Sequence, residues 1–509
     1  MISKIKSCAL YGINGYLVDV EVDLSEGLPG FDLVGLPDSS IRESKERVRA
    51  AIKNSEFLFP IKRITVNLAP ADTKKEGSAF DLPIAIGIIS CNDPIDKEIL
   101  DSTMIIGELS LDGKVRPVNG ILPMVYSALK KGIKQCIVPF ENAEEGAIVE
   151  DIEVIGVHTL KEAINHLKKE EIIPRTIIDI NSLMKNNTNN TLDFADVKGQ
   201  EHVKRALEIS AAGSHNVLMI GPPGSGKTMM ARRLPTILPD LSFEESIEIT
   251  KIYSVTGLLP NKKSLITSRP FRAPHHTVSN SALIGGGRIP KPGEVSLSHY
   301  GVLFLDELPE FNKNVLEVLR QPLEDREVTI SRVNATLTYP ASFMLVCSMN
   351  PCPCGYLGDD EKCHCQPEQV KKYLSKISGP LLDRLDIHVE ASPVKYDDLD
   401  VKEKSESSAS IKKRVLQAQK IQQERYKNES IYFNAQLSAS QIDKYCVLGK
   451  EERDLLKNAF EKLNLSARAY HRILKVSRTI ADLEGEEKIG LQHLSEAIQY
   501  RSLDRKYWA

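Results

Sequence analysis

NVLMIGPPGSGKTMMARRL, residues 216–234, decides the fold of the middle of this 509-residue chain. An apolar run reads as a buried strand, the turn GPPGSGKT from Gly221 to Thr228 follows at once, and MMARRL opens a helix. That order lets successive backbone N–H groups surround phosphate oxygens at a helix N-terminus. The turn fits G-x-x-x-x-G-K-[ST]. Gly221, Pro222, Pro223, Gly224, Ser225 and Gly226 are therefore expected to cradle a nucleotide's phosphates, with Lys227 reaching the β- and γ-phosphates and Thr228 ligating Mg²⁺.

Two further apolar runs belong to the same sheet. VLFLDE, Val302 to Glu307, is a buried strand ending in two acids, which puts Asp306 beside the metal and Glu307 where it can orient an attacking water. SFMLVCSMN ends at Asn350, a polar side chain at the C-terminal edge where parallel sheets of this kind bind ligands. Residues 193–392 thus read as an α/β nucleotide-binding core, a parallel sheet wrapped by helices.

On the N-terminal side, residues 1–170 alternate strand-like runs (YLVDVEVDL, RITVNLA, QCIVPF, IEVIGV) with helical patterns, a second mixed α/β domain. Residues 171–192, with KNNTNNT inside them, have neither periodicity nor apolar content at their centre and read as a linker. On the C-terminal side, a polar linker over 393–410 leads into an all-α region, 411–509. The net charge of −3 carries no general excess of positive charge, so any nucleic-acid contact must be local. The start lacks an apolar signal region and no run reaches the length of a membrane span; the expectation is a cytoplasmic protein with no membrane contact. Nine cysteines, an odd number spread thinly except for one cluster, point to reduced thiols and away from a disulfide framework.

The middle domain resembles an AAA+ ATPase of the helix-2-insert group. GPLLDRLDIH, Gly379 to His388, is similar to that group's arginine-finger segment and makes Arg384 the candidate finger. SARAYHRILKVSRTIADLEG is similar to the helix carrying sensor 2, at Arg468, and Asn350 matches sensor 1. FRAPHHTVSNSALIGGG, Phe271 to Gly287, followed by RIPKPGEVSLSHYG, resembles the magnesium-chelatase-like AAA+ family, most closely the ComM/YifB proteins associated with DNA uptake and branch migration. That resemblance implies ATP and Mg²⁺ as cofactors, a homo-oligomer with hexamer geometry, and an ATP-driven DNA translocase or branch-migration helicase. Rings of the same build also serve chelatase-type and protein-remodelling ATPases that do not act on DNA. A guanidinium on the far side of the domain cannot reach its own γ-phosphate, so Arg384 is expected to act on a neighbour's ATP. In the insert, adjacent His275 and His276 could be metal ligands, but adjacent side chains rarely converge on one metal, and the flanking Gly, Pro and Ser favour a flexible loop. Arg272, Arg288 and Lys291 are candidates for gripping a DNA backbone, unless the loop is purely structural.

GELSLDGKVRPVNGILPMVYSALKKG, Gly107 to Gly132, together with KEGSAFDLPIAIGI, resembles the Lon-protease-like (ribosomal protein S5-like) α/β fold. Such an enzyme needs a neutral lysine amine to take the proton of a serine, here Ser78. The lysine expected after PVNG is absent: Leu122, Pro123 and Met124 stand there, with Lys130 and Lys131 further along. The domain is expected to be a scaffold or a DNA-contacting collar and not a protease.

Near the C-terminus, Arg468, His471, Arg472, Lys475 and Arg478 fall close to i, i+3, i+4 spacing; Arg472 and Lys475 read as a solvated basic face. Finally, PCPCGYLGDDEKCHC, Pro351 to Cys365, carries Cys352 and Cys354 as one C-x-C pair and Cys363 and Cys365 as another. Two such pairs can close a tetrahedral Cys₄ zinc site; unligated thiols and a redox device are the other readings.

Overall fold

Period-two alternation builds the antiparallel part of the first sheet, and near-continuous apolar runs build the rest. Its strands are β1 (Ile2–Tyr11), β2 (Asn14–Ser25), β3 (Gly30–Val34), β4 (Arg63–Ala69), β5 (Thr103–Ile105), β8 (Gln135–Pro139) and β9 (Glu153–Val157), with β6 (Glu108–Leu109) and β7 (Val115–Arg116) forming a separate small ladder. The strand order is β3-β4-β2-β1-β5-β8-β9. β1 and β2 form an antiparallel hairpin in register from Ile2↔Asp23 to Tyr11↔Asn14, and every other residue of VDVEV, namely Val18, Val20 and Val22, is buried. Helix Ser39–Asn54 starts where the Asp38 carboxylate accepts the Ile41 N–H at 2.9 Å, and lays Ile41, Val48 and Ile52 into the core. Helix Asp81–Asn92 is buried on almost every side, so its sequence, DLPIAIGIISCN, has no polar face to betray a helical period.

The computed structural model describes residues 2–185, 192–260, 263–287, 290–332, 335–393, 405–463 and 465–508. Most of KNNTNNT and most of the second polar linker lie outside the described residues. The chain forms two units, Met1–Asn186 with Phe243–Thr267, and Asn187–Ser242 with Ser268–Ala509. Residues 243–267, expected inside a continuous nucleotide-binding core, belong instead to the first unit. Helix Phe243–Thr256 lies against helix Ile121–Lys130, where the Lys251 amine sits 3.7 Å from the centre of the Tyr126 ring and the Ser254 hydroxyl donates to Glu145 at 2.5 Å. Leu265 is buried in the same cluster as Met104 and Leu122. Burial pushes the Glu145 carboxyl above its ordinary range, and Ser254, the Leu122 N–H and Asn142 donate to it. A buried carboxyl in want of donors is thus one reason the segment packs there.

In the second unit, β10 (Val217–Ile220), β11 (Phe271–Arg272), β14 (Val302–Leu305), β17 (Met344–Met349) and β18 (Ile387–Glu390) form a parallel sheet in the order β11-β14-β17-β10-β18. Two hairpins stand outside it: β12 (Gly285–Gly286) with β13 (Lys291–Pro292), and β15 (Glu327–Arg332) with β16 (Ala335–Pro340). All residues of β10, β14 and β17 are buried, as sheets covered on both faces require. The C-terminal helices, among them Ser408–Arg425, Ala467–Glu484 and Leu491–Gln499, share one hydrophobic core with the sheet: Ile411, Ile473 and Leu494 join Val217, Phe304 and Val346.

Candidate active site

Strand order assembles the site. β17 runs between β10, which feeds the glycine-rich turn, and β14, which ends at Asp306, so side chains at the end of β17 reach both neighbours. Asn350 Oδ1 accepts from the Lys227 amine at 3.4 Å, and Ser348, two residues back on the same face, donates to the Asp306 carboxylate. On the other side of Asp306, the Thr228 hydroxyl donates to Oδ2 at 2.7 Å. Lys227, Thr228, Asp306 and Asn350, separated by up to 123 positions, are joined in this way. Ser348 was not anticipated; its only sequence signal is the i, i+2 spacing from Asn350.

The Lys227 amine is held by the carbonyl oxygens of Gly221 and Pro222 at 2.8 and 2.9 Å and by the Ser225 hydroxyl at 3.3 Å. Burial lowers its pKa, with Asp306 and Glu307 opposing. Thr228 Oγ1 and the Asp306 carboxylate offer adjacent hard oxygen donors, which suit Mg²⁺. Glu307 follows with φ of 54°, a left-handed conformation that a non-glycine residue adopts at a cost of about 1–3 kcal/mol, and its carboxylate is half exposed. The glycines of the turn serve two needs. Gly224 and Gly226 have φ of 77° and 83°, whereas a side chain at Gly221 would strike the Ala391 carbonyl after β18.

Arg384 and Arg468 share a different neighbourhood. The Arg384 guanidinium is one-tenth exposed, donates to the Pro380 carbonyl at 2.6 Å and pairs with Glu324, and not with Asp383 or Asp386. Asp383 instead receives the exposed Arg468 at 3.3 Å. Arg468 is the sensor 2 candidate; within this chain its partner is the residue next to the candidate finger. Asp386 is buried and accepts from Arg472, from His215 Nδ1 at 3.1 Å and from the Asn216 N–H at 3.3 Å. Burial alone would raise its carboxyl, but Arg472 and His215 outweigh that and hold it well below the usual carboxylate range.

The expected solvated basic face is therefore corrected. Arg472 is spent on Asp386, the Lys475 amine donates to the Ala435 carbonyl at 3.0 Å and is pushed down to about 8 by burial, and Arg478 is buried against Asp482. Only the charge pattern was legible: a buried acid 86 positions away claims Arg472, a backbone carbonyl takes Lys475, and Asp482, one helical turn on, takes Arg478.

In the insert, Arg272 makes two hydrogen bonds to Glu294, at 2.6 and 2.7 Å, and is committed within its own chain. Lys291 is exposed on β13, and Arg288 lies outside the described residues. His275 accepts from Thr277, while His276 Nδ1 stands 3.6 Å from the Glu307 carboxylate and edge-on to Phe311. Four sulfurs, of Cys352, Cys354, Cys363 and Cys365, lie within 4.8 Å of one another, an arrangement able to hold a metal ion. In the first unit, the Ser78 hydroxyl donates to Glu108, so its partner is an acid and not an amine. Lys130 lies over Tyr126 and Lys131 is exposed. Lys75, unread in the sequence, is fully buried with no partner for its amine among the described residues.

Residues 193–399 match the family described as magnesium chelatase, subunit ChlI; residues 20–142 match subunit ChlI of Mg-chelatase, and residues 405–501 its C-terminal region. Competence protein ComM of Haemophilus influenzae is 47% identical over 504 residues, 98% of this chain and 97% of its own length. The uncharacterized protein YifB of Escherichia coli is 42% identical over 509 residues, 99% of this chain and 98% of its own. Lon protease 2 of Bacillus subtilis is 28% identical over 188 residues, 32% of either chain, in keeping with the Lon-like N-terminal fold. No helix among the described residues is long and apolar enough to cross a membrane. With full-length identity of this order and all three chelatase-type segments in place, the chain belongs to the ComM/YifB family of magnesium-chelatase-like AAA+ proteins.

Proposed function

We propose that this protein is an ATP-hydrolysing DNA motor that works as a hexamer in the cytoplasm, a translocase or branch-migration helicase acting in DNA uptake or recombination. The observation that carries the ATPase half is the convergence of Lys227, Thr228, Asp306 and Asn350 at the ends of three parallel strands. Lys227 and the backbone N–H groups of the turn bind the β- and γ-phosphates, and Asn350 fixes the lysine's direction. Thr228 and Asp306 would hold Mg²⁺, which when bound neutralises charge on the phosphates. Glu307 orients the attacking water. Arg384, and with it Arg468, completes the site of the adjacent subunit, because both lie in one patch of side chains that shares no partner with the phosphate-binding turn among the described residues. In the free chain Glu324 and Asp383 occupy these cations, so assembly exchanges carboxylate partners for phosphate.

The DNA half is supported by the relative named as a competence protein. Lys291 and Arg288 in the insert remain the candidates for backbone contact, whereas Arg272 is withdrawn because Glu294 holds it. The Lon-like unit serves as a scaffold or DNA-contacting collar without proteolysis, a reading supported by the Ser78 hydroxyl donating to the Glu108 carboxylate. The four clustered thiols bind a structural Zn²⁺. A chelatase-type or protein-remodelling ATPase is the second reading, favoured by the family descriptions that name magnesium chelatase. ATP turnover measured with forked DNA, single-stranded DNA and unfolded protein separates the two. Stimulation by DNA, and strand movement lost in Lys227→Ala, is expected; stimulation by unfolded protein alone would refute the DNA reading.

A further inference from the structure

The loop from Cys352 to Cys365 has no strand or helix within it; its backbone bonds are short-range turns, from Gly355 N–H to the Cys352 carbonyl at 3.0 Å, Asp359 N–H to Tyr356 at 3.0 Å, and Lys362 and Cys363 N–H to the Asp359 carbonyl at 3.2 and 2.8 Å, and the Asp359 carboxylate accepts from the Glu361 and Lys362 N–H groups. Of its side chains Cys352 alone is fully buried. A segment of this length with so small an apolar contribution needs some other centre to hold one shape. The sulfurs supply the geometry for one. Cys352 and Cys354 stand 3.3 Å apart, Cys354 and Cys363 3.6 Å, and Cys352 and Cys363 3.9 Å. Four thiolates at about 2.3 Å from one tetrahedral Zn²⁺ lie about 3.8 Å from each other. The observed separations bracket that edge, exceed the roughly 2.05 Å of a disulfide, and leave no room for a cluster of several metals.

The loop touches the nucleotide-binding turn. Gly355, with φ of 90°, presents its backbone so closely to Pro223 that a Cβ there would lie 2.6 Å from Pro223 Cδ and 3.0 Å from Cγ, and 3.7 Å from the side-chain carbon of Asn350. Pro223 is the third residue of GPPGSGKT, and Asn350, bonded to Lys227, stands two residues before Cys352. One ligand pair, Cys352 and Cys354, thus immediately precedes the glycine that meets the turn. On the far side the other pair leads into helix Pro367–Leu374, whose first turn is closed by a reciprocal bond between Gln366 and Gln369.

We propose that the cysteine loop is a zinc-dependent brace on the phosphate-binding turn: Zn²⁺ held by Cys352, Cys354, Cys363 and Cys365 keeps Gly355 seated on Pro223 and Asn350 aimed at Lys227, so that metal occupancy sets nucleotide affinity. The coupling rests on the nucleotide-binding reading above, while the metal site stands on the sulfur geometry alone. Loss of an outer support of this kind weakens a site by about tenfold or more.

The full-length protein, purified without a metal-binding tag, is assayed for zinc by elemental analysis and for binding of a fluorescent ATP analogue before and after zinc is displaced by a mercurial and chelated. Backbone hydrogen exchange at 221–228 is followed in both forms, and Cys354→Ser with Cys363→Ser, outside the fully buried position, provides a second route if the mercurial unfolds the chain. About one zinc per chain is expected, with nucleotide affinity falling about tenfold and exchange at the turn rising on its removal. Less than half an equivalent of zinc in the parent would overturn the metal site. Stoichiometric zinc whose removal leaves affinity and exchange unchanged would overturn the brace. Stoichiometric zinc in a parent that binds no nucleotide would overturn the nucleotide reading, and the brace with it, while the metal site stands.

Discussion

Arg384 offers the sharpest test of whether this chain works as a ring. In the free chain its guanidinium is one-tenth exposed and tied to Pro380 and Glu324, while the Glu324 side chain is 59% exposed. An ion pair so open to water is worth about 0.2–1 kcal/mol, whereas a finger acting on a neighbour's phosphate is worth about 10³–10⁵ in rate. The small term is overcome by the large one, so Glu324→Ala should raise turnover by no more than about fivefold, most visibly at low protein concentration where assembly limits the rate. Arg384→Ala should lower turnover by about a thousandfold or more with nucleotide affinity intact. Mixing Arg384→Ala with Lys227→Ala chains adds a control that a structural role cannot imitate. In a head-to-tail ring each variant supplies what its neighbour lacks, and random mixing restores about one quarter of the interfaces. Steady-state ATP turnover across protein concentrations and mixing ratios reads all three effects. Parental turnover in Arg384→Ala, or no recovery on mixing, would refute action in trans.

Other outcomes follow from the same geometry. Gly221→Ala should destabilise the second unit by forcing a Cβ into the Ala391 carbonyl, whereas Gly224→Ala, in open space with φ of 77°, should cost about 1 kcal/mol of strain and act chiefly on nucleotide binding; thermal unfolding and analogue binding on each separate the two. Asp386→Ala should cost about 3–5 kcal/mol by leaving Arg472 and His215 beside an empty counter-charge, read by denaturant unfolding. Because the native Asp386 carboxyl is held below its unfolded value near about 3.9, its stabilisation is complete above that pH and is lost as pH falls below it, so the parent should lose its advantage over Asp386→Asn in acid. Lys75→Met should leave the first unit at least as stable as the parent, since an unpaired buried amine is replaced by an apolar chain of similar length. Burial lowers the Lys75 pKa, so the parent's deficit should shrink as pH rises toward about 10.4, and a loss of stability in Lys75→Met would show that the amine is paired.

What could be read from the chain beforehand follows from how local each signal is. GPPGSGKT announces itself because strand, turn and helix are contiguous, and VLFLDE and SFMLVCSMN because buried parallel strands are apolar throughout. The same reasoning is silent on helix Asp81–Asn92, whose uniform burial erases the period that marks a helix, and on β3, an edge strand of five residues. It also misassigned residues 243–267, because nothing in FEESIEITKIYSVT tells which of two cores its apolar face will join.

Charges show the limit most clearly. RAYHRILKVSR carries the same basic spacing whether it faces water or buried acids, and the acid that decides, Asp386, is 86 positions from Arg472. Asp383, Arg384 and Asp386 nevertheless occupy one short segment, and each holds a partner from elsewhere: Arg468, Glu324 and Arg472. The two outer pairs fasten that segment to the helix Ala467–Glu484, one exposed and one buried, with the candidate finger between them. The buried pair resists separation by several kcal/mol, about 3–5, while the exposed pair yields at about 1 kcal/mol or less. A shift of that helix would accordingly part Asp383 from Arg468 before it parts Asp386 from Arg472.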